Sequence, residues 1–249
     1  MWSKERWESR WRIGILNPIG WILAGSFPFL YHFLAKAPAK TIPAPFTALL
    51  HYPYFAFGWF GEDLPELLFV YALTVAVGTI TREWQSGSIE FLAQLPLTPR
   101  QIALRKGVWG SLEIGFVSVI STAVLWLVSA LDGHSLPRMP LILSTLLIAC
   151  GFIGVMWLLS ACAWAIHSTY AIILIGIGFY IASVVVRGIS GLRAFSPLAY
   201  ICDTSPDAHQ IVLWEHLAIV LAVVAGLIFL TAWIAGRQEL IANHGRDQM

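Results

Sequence analysis

Charged residues are scarce in this chain, where Asp, Glu, Lys and Arg together make up 12% of 249 residues. A soluble domain usually carries about 25% charged and about 45–50% apolar residues. Here 58% of the residues are hydrophobic and the net charge is +1. We therefore predict a polytopic membrane protein without a soluble domain. No basic domain supports a nucleic-acid partner, so we expect none.

Cysteines are few, and none has a neighbour that predicts a bond or a metal site. Cys150 and Cys162 lie twelve positions apart in one apolar run, which is about 18 Å on a helix. That distance is beyond disulfide reach, and Cys202 stands alone in a predicted loop. We interpret all three as structural and expect no metal ligand among them. The sequence also lacks G-x-x-x-x-G-K-[ST], so we expect no ATP bound by this chain.

Six apolar stretches are predicted to cross the membrane, whose hydrocarbon core is about 30 Å thick. They cover residues 17–35, 66–81, 107–131, 141–166, 170–186 and 217–236. The predicted fold is an all-α integral membrane protein with residues 1–249 in one transmembrane domain. Pro18 suits the first turn of the first span, and Pro28 should kink it. Gly176 and Gly178 suit close packing of the fifth span.

The segment before the first span is predicted to lie in the membrane interface. Trp7, Trp11 and Ile15 recur at helical spacing, so they share one face. Four cations surround them: Lys4, Arg6, Arg10 and Arg12. Indoles at headgroup depth with nearby cations are typical of an interfacial helix. A flexible basic flank is the alternative.

Residues 36–65 are rich in proline and aromatic side chains, which argues against one long regular helix. A partly re-entrant segment fits this composition if protein covers its backbone. Just before it, His32 is interpreted as a packed or interfacial histidine rather than a metal ligand. Residues 188–215 and 237–249 are predicted to be a mixed loop and a short polar tail.

Lys and Arg predict the orientation, because positive charge accumulates on the cytoplasmic side. Six spans put both termini on one side. With the termini inside, the inner segments hold ten basic residues and the outer segments hold five. The inner ten are Lys4, Arg6, Arg10, Arg12, Arg82, Arg100, Arg105, Lys106, Arg237 and Arg246. We predict cytoplasmic termini, with residues 82–106 on the same side.

Residues 82–106 form the long polar interval between the second and third spans. A helical wheel separates an apolar face (Trp84, Phe91, Leu92 and Leu95) from an acidic face (Glu83, Glu90 and Gln94, beside Gly87). Pro96 ends this helix, and Thr98 and Pro99 suit the N-cap and first turn of the next. Arg100, Arg105 and Lys106 are predicted to anchor it at the inner headgroups. An ordinary amphipathic loop is the alternative on physical grounds.

These residues resemble the ABC-2 type permeases, the transmembrane subunits of ATP-binding-cassette exporters. The resemblance lies in REWQSGSIEFL at 82–92, in LPLTP at 95–99 and in Lys106. It is closest to the gliding-motility and nitrous-oxide-reductase-assembly branch. Ser88 stands where the family usually has Thr, and Arg105 stands where it has Gly before the lysine. The match is strong over about 25 positions, while the six-span layout agrees over the whole length.

The resemblance implies a dimer of permeases, identical or paralogous, with two cytoplasmic ATPase subunits that bind ATP and Mg²⁺. It implies residence in the bacterial or archaeal cytoplasmic membrane and no enzyme activity or cofactor of the chain's own. Glu83, Gly87 and Glu90 then belong to a coupling helix that docks on the ATPase, with Pro96 as its elbow. Exposed ion pairs are individually weak, so we expect Phe91, Leu92 and Leu95 to carry much of the contact.

Glu113 lies about two turns into the third predicted span. Acids in hydrocarbon are costly, and they mark functional sites by default. We predict a transport or subunit-interface residue. The alternative is that Glu113 reaches the inner interface or pairs with Arg82, Arg105 or a basic residue of a terminal segment. The few intramembrane charges favour a lipidic, amphipathic or hydrophobic substrate.

Two other functions remain open. Residues 188–191 read G-x-S-G, as in rhomboid intramembrane proteases, with Ser190 as nucleophile and His216 as base. The glycines more simply make a turn, and Glu215 and His216 suit the boundary of the sixth span. The chain could also be a membrane assembly factor or channel that works without an ATPase.

Overall fold

The computed structural model describes residues 2–36, 51–79, 97–189, 191–202 and 210–246. All regular elements in these ranges are helical. The α-helices are α1 (Trp2–Ala35), α2 (Tyr52–Gly61), α3 (Asp63–Thr79), α4 (Pro99–Leu131), α5 (Arg138–Ile166), α6 (Thr169–Gly188), α7 (Pro197–Cys202) and α8 (Gln210–Arg246). A 3₁₀ turn at Arg193–Phe195 precedes α7.

Four of the described helices are long and apolar enough to cross a membrane: α4, α5, α6 and the Leu213–Arg237 part of α8. Length and composition therefore confirm an all-α protein of the membrane type, and they support the third to sixth predicted spans. The first two predicted spans are helical, as parts of α1 and α3. Neither is among the four candidates, and α3 is described over 17 residues.

Long helices that follow one another in the chain run in opposite directions, as contacts between helices show. α4 and α5 are antiparallel. Ser111, early in α4, accepts a hydrogen bond from Trp157 Nε1, late in α5, at 3.1 Å. Thr122, later in α4, lies 3.2 Å from Thr145, early in α5. α1 and α4 are parallel. Their carboxyl ends meet where His32 Nε2 lies 2.9 Å from an Asp132 carboxylate oxygen.

The other pairs continue this alternation. α3 is antiparallel to α4, with Tyr71 bonded to Glu113 one turn before Val75 meets Gly110. α3 is also antiparallel to α6, since Leu73 lies at Gly176 and Phe69 stacks on Tyr180. α5 and α8 are parallel: Gly154 contacts Val224, and further along Thr231 Oγ1 donates to the Trp157 carbonyl at 3.2 Å.

α5 lies at the centre of the bundle and contacts most of the other helices. In its most apolar window 72% of the residues are buried, against 39% for α4, 22% for α8 and 17% for α6. Phe152, Met156, Trp157 and Leu159 are almost fully buried there. α4, α6 and α8 therefore lie around α5 and turn much of their apolar surface outward.

One predicted helix boundary is wrong, because the helix runs through it. α1 is continuous from Trp2 to Ala35, so no boundary separates an interfacial helix from the first span, and Pro18 lies inside the helix rather than in its first turn. Membrane helices tolerate internal proline where neighbouring groups satisfy the freed carbonyl. α4, by contrast, starts at Pro99 as predicted and continues through Lys106 and Gly107 into the third predicted span.

The predicted loops also contain more helix than expected. Within 36–65, residues Tyr52–Gly61 form α2, a short helix with several buried aromatic side chains, and its re-entrant placement stays a prediction. The mixed loop at 188–215 includes α7. α8, which contains the sixth predicted span, begins at Gln210 and extends through most of the predicted polar tail. Cys202 is buried at the end of α7 rather than isolated in a loop. No disulfide joins the three cysteines.

α3 begins in a group of acids that the sequence places between α2 and the second predicted span. Burial raises the pKa of the Asp63 carboxyl, and the Glu62 and Glu66 carboxylates raise it further. At the same end of the bundle, Arg187 Nη1 donates to the Gly61 carbonyl at 3.0 Å. This bond connects the end of α6 to the end of α2.

Candidate functional site

The first part of the predicted docking element lies outside the described residues, which resume at Leu97. The predictions for Glu83, Gly87, Glu90, Phe91, Leu92, Leu95 and Pro96 therefore stay predictions. Trp7 and Trp11 lie in α1, but their side chains are also outside the described part of the chain. The structure does describe the second half of the element, which is the beginning of α4.

Thr98 and Pro99 begin α4 as the sequence predicts. Thr98 is the N-cap: its Oγ1 accepts from the Gln101 backbone N–H at 3.3 Å, while Gln101 Oε1 accepts from the Thr98 N–H at 3.2 Å. This reciprocal pair is a capping box, and Pro99 occupies the first turn. Two otherwise unpaired backbone groups are satisfied, so the helix starts at a fixed position.

The three basic residues of this turn lie in different surroundings. Arg100 and Arg105 are exposed, as headgroup contacts require. Lys106 is 8% exposed and lies against the protein. Headgroup anchoring therefore stays a prediction for the two arginines, and Lys106 instead joins the interior of the bundle.

Small residues after Lys106 bring α4 into close contact with α5. A Cβ atom at Gly107 would overlap the indole ring of Trp157, and one at Gly110 would lie 2.6 Å from Met156 Sδ. The Trp157 indole N–H donates to Ser111 Oγ, which in turn donates to the Gly107 carbonyl at 2.8 Å. The start of α4 therefore packs directly against α5.

Glu113 is 4% exposed and lies between α4 and α3. The Tyr71 hydroxyl donates to Glu113 Oε2 at 3.2 Å. A hydrogen bond to a charged group contributes about 1.5–3 kcal/mol, and loss of one partner leaves the other buried without it. Glu113 therefore lies inside this chain's own bundle, and its role in transport or at a subunit interface stays a prediction.

The sequence interpretation missed a second buried polar region on α1. Asn17 is 1% exposed, and neither polar atom of its side-chain amide has a hydrogen-bond partner among the described residues. Farther along the helix, Gly20 approaches Ser121 of α4. Within the described ranges the Ser121 hydroxyl also has no hydrogen-bond partner. Asn17 is the first residue of the predicted first span. Its polar side chain was the one signal in the sequence that could have indicated this buried polar region.

The structure does not test the proposed protease pair. Ser190 is outside the described residues. His216 lies in α8, where its ring packs edge-on against Tyr200 with 5.1 Å between centroids. This contact is what an aromatic residue at a helix boundary makes, and it adds nothing to a catalytic interpretation.

The geometry at the start of α4 suits a mechanical role. A capped helix of 33 residues, about 50 Å long, is packed closely against the most buried helix of the molecule. A displacement applied near Thr98 is therefore carried into the bundle by close contacts rather than lost in a flexible joint. No family model matches the chain, and no curated protein matches it, so a functional assignment rests on these residues and on the sequence that precedes them.

Proposed function

We propose that the chain is the transmembrane permease subunit of an ABC-2 type ATP-binding-cassette exporter in the cytoplasmic membrane. It works as a pair with a second permease, identical or paralogous, and with two copies of a separate cytoplasmic ATPase. The ATPase binds ATP and Mg²⁺, while this chain forms the path for the substrate. The observation that carries the proposal is the 82–106 sequence, which leads directly into the capped, closely packed start of α4.

The alternation of the long helices supports a six-crossing arrangement. α1, α3, α4, α5, α6 and α8 run alternately up and down, so adding α1 and α3 to the four candidate spans gives both termini on one side. α1 lies beside α4 from Gly20 to His32, so this part of α1 runs along a candidate span. The excess of Lys and Arg then favours cytoplasmic termini.

In this arrangement Thr98 is at the cytoplasmic end, and the residues before it face the ATPase. Glu83 and Glu90 offer carboxylates to basic side chains of that partner, and Phe91, Leu92 and Leu95 fill its groove. The close contact of Gly107 with Trp157 passes the movement from α4 to the centre of the bundle. Outward-facing apolar side chains on α6 and α8 suit contact with lipid and with a hydrophobic or amphipathic substrate.

Charge reversal tests the docking element directly. The permease is co-expressed with a candidate P-loop ATPase from a neighbouring reading frame, and the ATPase that co-purifies is measured. Glu83→Lys with Glu90→Lys should remove most of the bound ATPase, because both side chains then repel the basic partner surface. The matched control is Glu62→Lys with Glu66→Lys, which makes the same charge change at two exposed acids at the start of α3, the end opposite to the docking element.

The control variant should retain the ATPase. If the Glu83/Glu90 variant retains both the ATPase and its transport activity, the docking hypothesis is wrong. Equal loss of ATPase from the two variants would point to a general effect of net charge and would also contradict it. Labelling of Ser190 by a serine-directed probe would instead support the protease alternative.

A further inference from the structure

Two histidines and an aspartate meet at the end of the bundle opposite Thr98. They are His32 near the end of α1, Asp132 at the end of α4, and His134 in the loop that follows. His32 Nε2 lies 2.9 Å from Asp132 Oδ2, and His134 Nε2 lies 3.5 Å from the same oxygen. All three ligand atoms lie within 4.8 Å of one another.

The end of α4 explains why two of these residues point to one place. Gly133 has a positive φ of 81°, which a residue with a side chain rarely adopts. The His134 N–H donates to the Ser129 carbonyl at 2.9 Å, and the Gly133 N–H donates to the Ala130 carbonyl at 3.2 Å. These bonds form a Schellman motif. The turn folds the chain back, so the residues on both sides of Gly133 face His32.

Aromatic rings hold the His134 imidazole in position. The ring stacks on Tyr52 with 4.0 Å between centroids and 15° between planes, and Tyr31 packs edge-on at 5.5 Å. The Tyr52 hydroxyl is in turn bonded to Ser129 Oγ at 2.5 Å. His134 Nε2 is shielded from solvent, and its distance to Asp132 is that of an ion pair without hydrogen-bond geometry. A ring nitrogen held near a carboxylate without a hydrogen bond is suited to a metal ion.

We propose that His32, Asp132 and His134 bind a divalent transition-metal ion of the zinc type. Zn²⁺ takes imidazole nitrogen at about 2.0–2.1 Å and carboxylate oxygen at about 2.0–2.2 Å, which puts tetrahedral ligands about 3.3 Å apart. The 2.9 Å and 3.5 Å separations lie on either side of that value. The two histidine nitrogens must approach each other more closely, and His32 can move because its side chain is 51% exposed.

The ligand set also decides which ions are expected. Two imidazoles and one carboxylate suit Zn²⁺ and its neighbours in the transition series, whereas Mg²⁺ and Ca²⁺ prefer oxygen ligands. Three protein ligands leave the fourth position of a tetrahedral ion open to water or another ligand. The ion would join α1 to the end of α4, where His32 and Asp132 are 100 residues apart in the sequence. This site does not rest on the proposed transport function.

Zinc binding is measured on the full chain in detergent, purified with a tag that contains no histidine. We expect one Zn²⁺ per protomer in a competition assay with a chromogenic chelator. His32→Gln and Asp132→Asn should each weaken binding at least tenfold. The matched control is His216→Gln, which removes another partly exposed histidine from the same chain and should bind as the unaltered protein does.

A second measurement separates ligand loss from misfolding. Zinc should raise the Tm of the unaltered protein and of His216→Gln, while His32→Gln should unfold cooperatively and show no shift. Millimolar Mg²⁺ should not displace the zinc. Absence of zinc binding by the unaltered protein, or equal affinity in His32→Gln, would overturn the proposal and leave His32 and Asp132 as a structural ion pair.

Discussion

α5 and α6 follow one another in the chain and are almost equally apolar, with mean hydropathies of 2.4 and 2.2 over their best windows. Nevertheless, 72% of the first window and 17% of the second are buried. Hydropathy therefore identifies helices that can cross a membrane, but it does not identify the helix that the others surround. In lipid, apolar surface gains little from burial, so close packing decides which helices associate.

Small residues show the same contrast. On α5, the Ile201 side chain of α7 packs against Gly151, and the Val224 side chain of α8 packs against Gly154. On α6, Gly176 contacts Leu73 as its predicted packing role requires. A Cβ atom added at Gly178 would meet no other atom within 4 Å in the part of the chain that the structure describes. A glycine contributes to packing only where a second helix approaches it.

The largest expected difference between the buried and the peripheral helices comes from tryptophan. Trp157→Ala removes a side chain that is 1% exposed at the centre of the bundle, and it should reduce the free energy of unfolding by about 3–5 kcal/mol. Trp214→Ala removes one that is 55% exposed on α8, and the expected change is about 0.5 kcal/mol or less. Equilibrium unfolding in mixed micelles measures both, and equal losses would contradict a central α5.

A smaller effect is expected from adding atoms at glycine. Gly107→Val forces a side chain into the Trp157 ring, and overpacking of this kind costs about 1–3 kcal/mol. Gly178→Val makes the same change on α6, where the described structure leaves space, and it should be nearly neutral in a monomer. Thermal unfolding of the two variants in detergent measures the difference, and an equal loss in both would contradict it. If Gly178→Val left the monomer stable but weakened self-association, α6 would contribute to the interface between permeases.

The smallest effect should come from one hydrogen bond between helices. Thr231 Oγ1 lies 3.2 Å from the Trp157 carbonyl and 2.8 Å from the Leu227 carbonyl of its own helix. Thr231→Val keeps the shape and removes the donor, so we expect a loss of about 0.5–1.5 kcal/mol in the free energy of unfolding. Thr74→Val is the control, because exposed Thr74 bonds the Tyr71 carbonyl of its own helix. A similar loss in both variants would show that the contact with α5 adds nothing.

Local signals in the sequence predicted the parts of the fold that depend on local interactions. Thr98 and Pro99 begin α4, and the turn at 167–168 separates α5 from α6, with His167 at a φ of 57°. The boundary before the first predicted span failed, because α1 continues through Pro18. Proline in the sequence indicates that continuing a helix costs free energy. It does not indicate whether the rest of the fold offsets that cost.

The cluster at His32 could not be predicted from either of its two segments. D-G-H at 132–134 reads as a short loop, and His32 reads as one aromatic residue among several. Only the parallel pairing of α1 with α4 brings them together, and that pairing depends on packing across 100 positions. Knowing that the first and third spans run side by side would have been enough to suggest the site.

The length of α4 has a thermodynamic consequence for the two proposals. The same unbroken helix has the capping box at one end and Asp132 at the other. A displacement of one end of α4 therefore also displaces the other end. If a bound ion favours one position of α4, it must change the affinity for the ATPase, and the ATPase must change the affinity for the ion by the same factor. Zinc titrations with and without the ATPase would measure this coupling between opposite sides of the membrane.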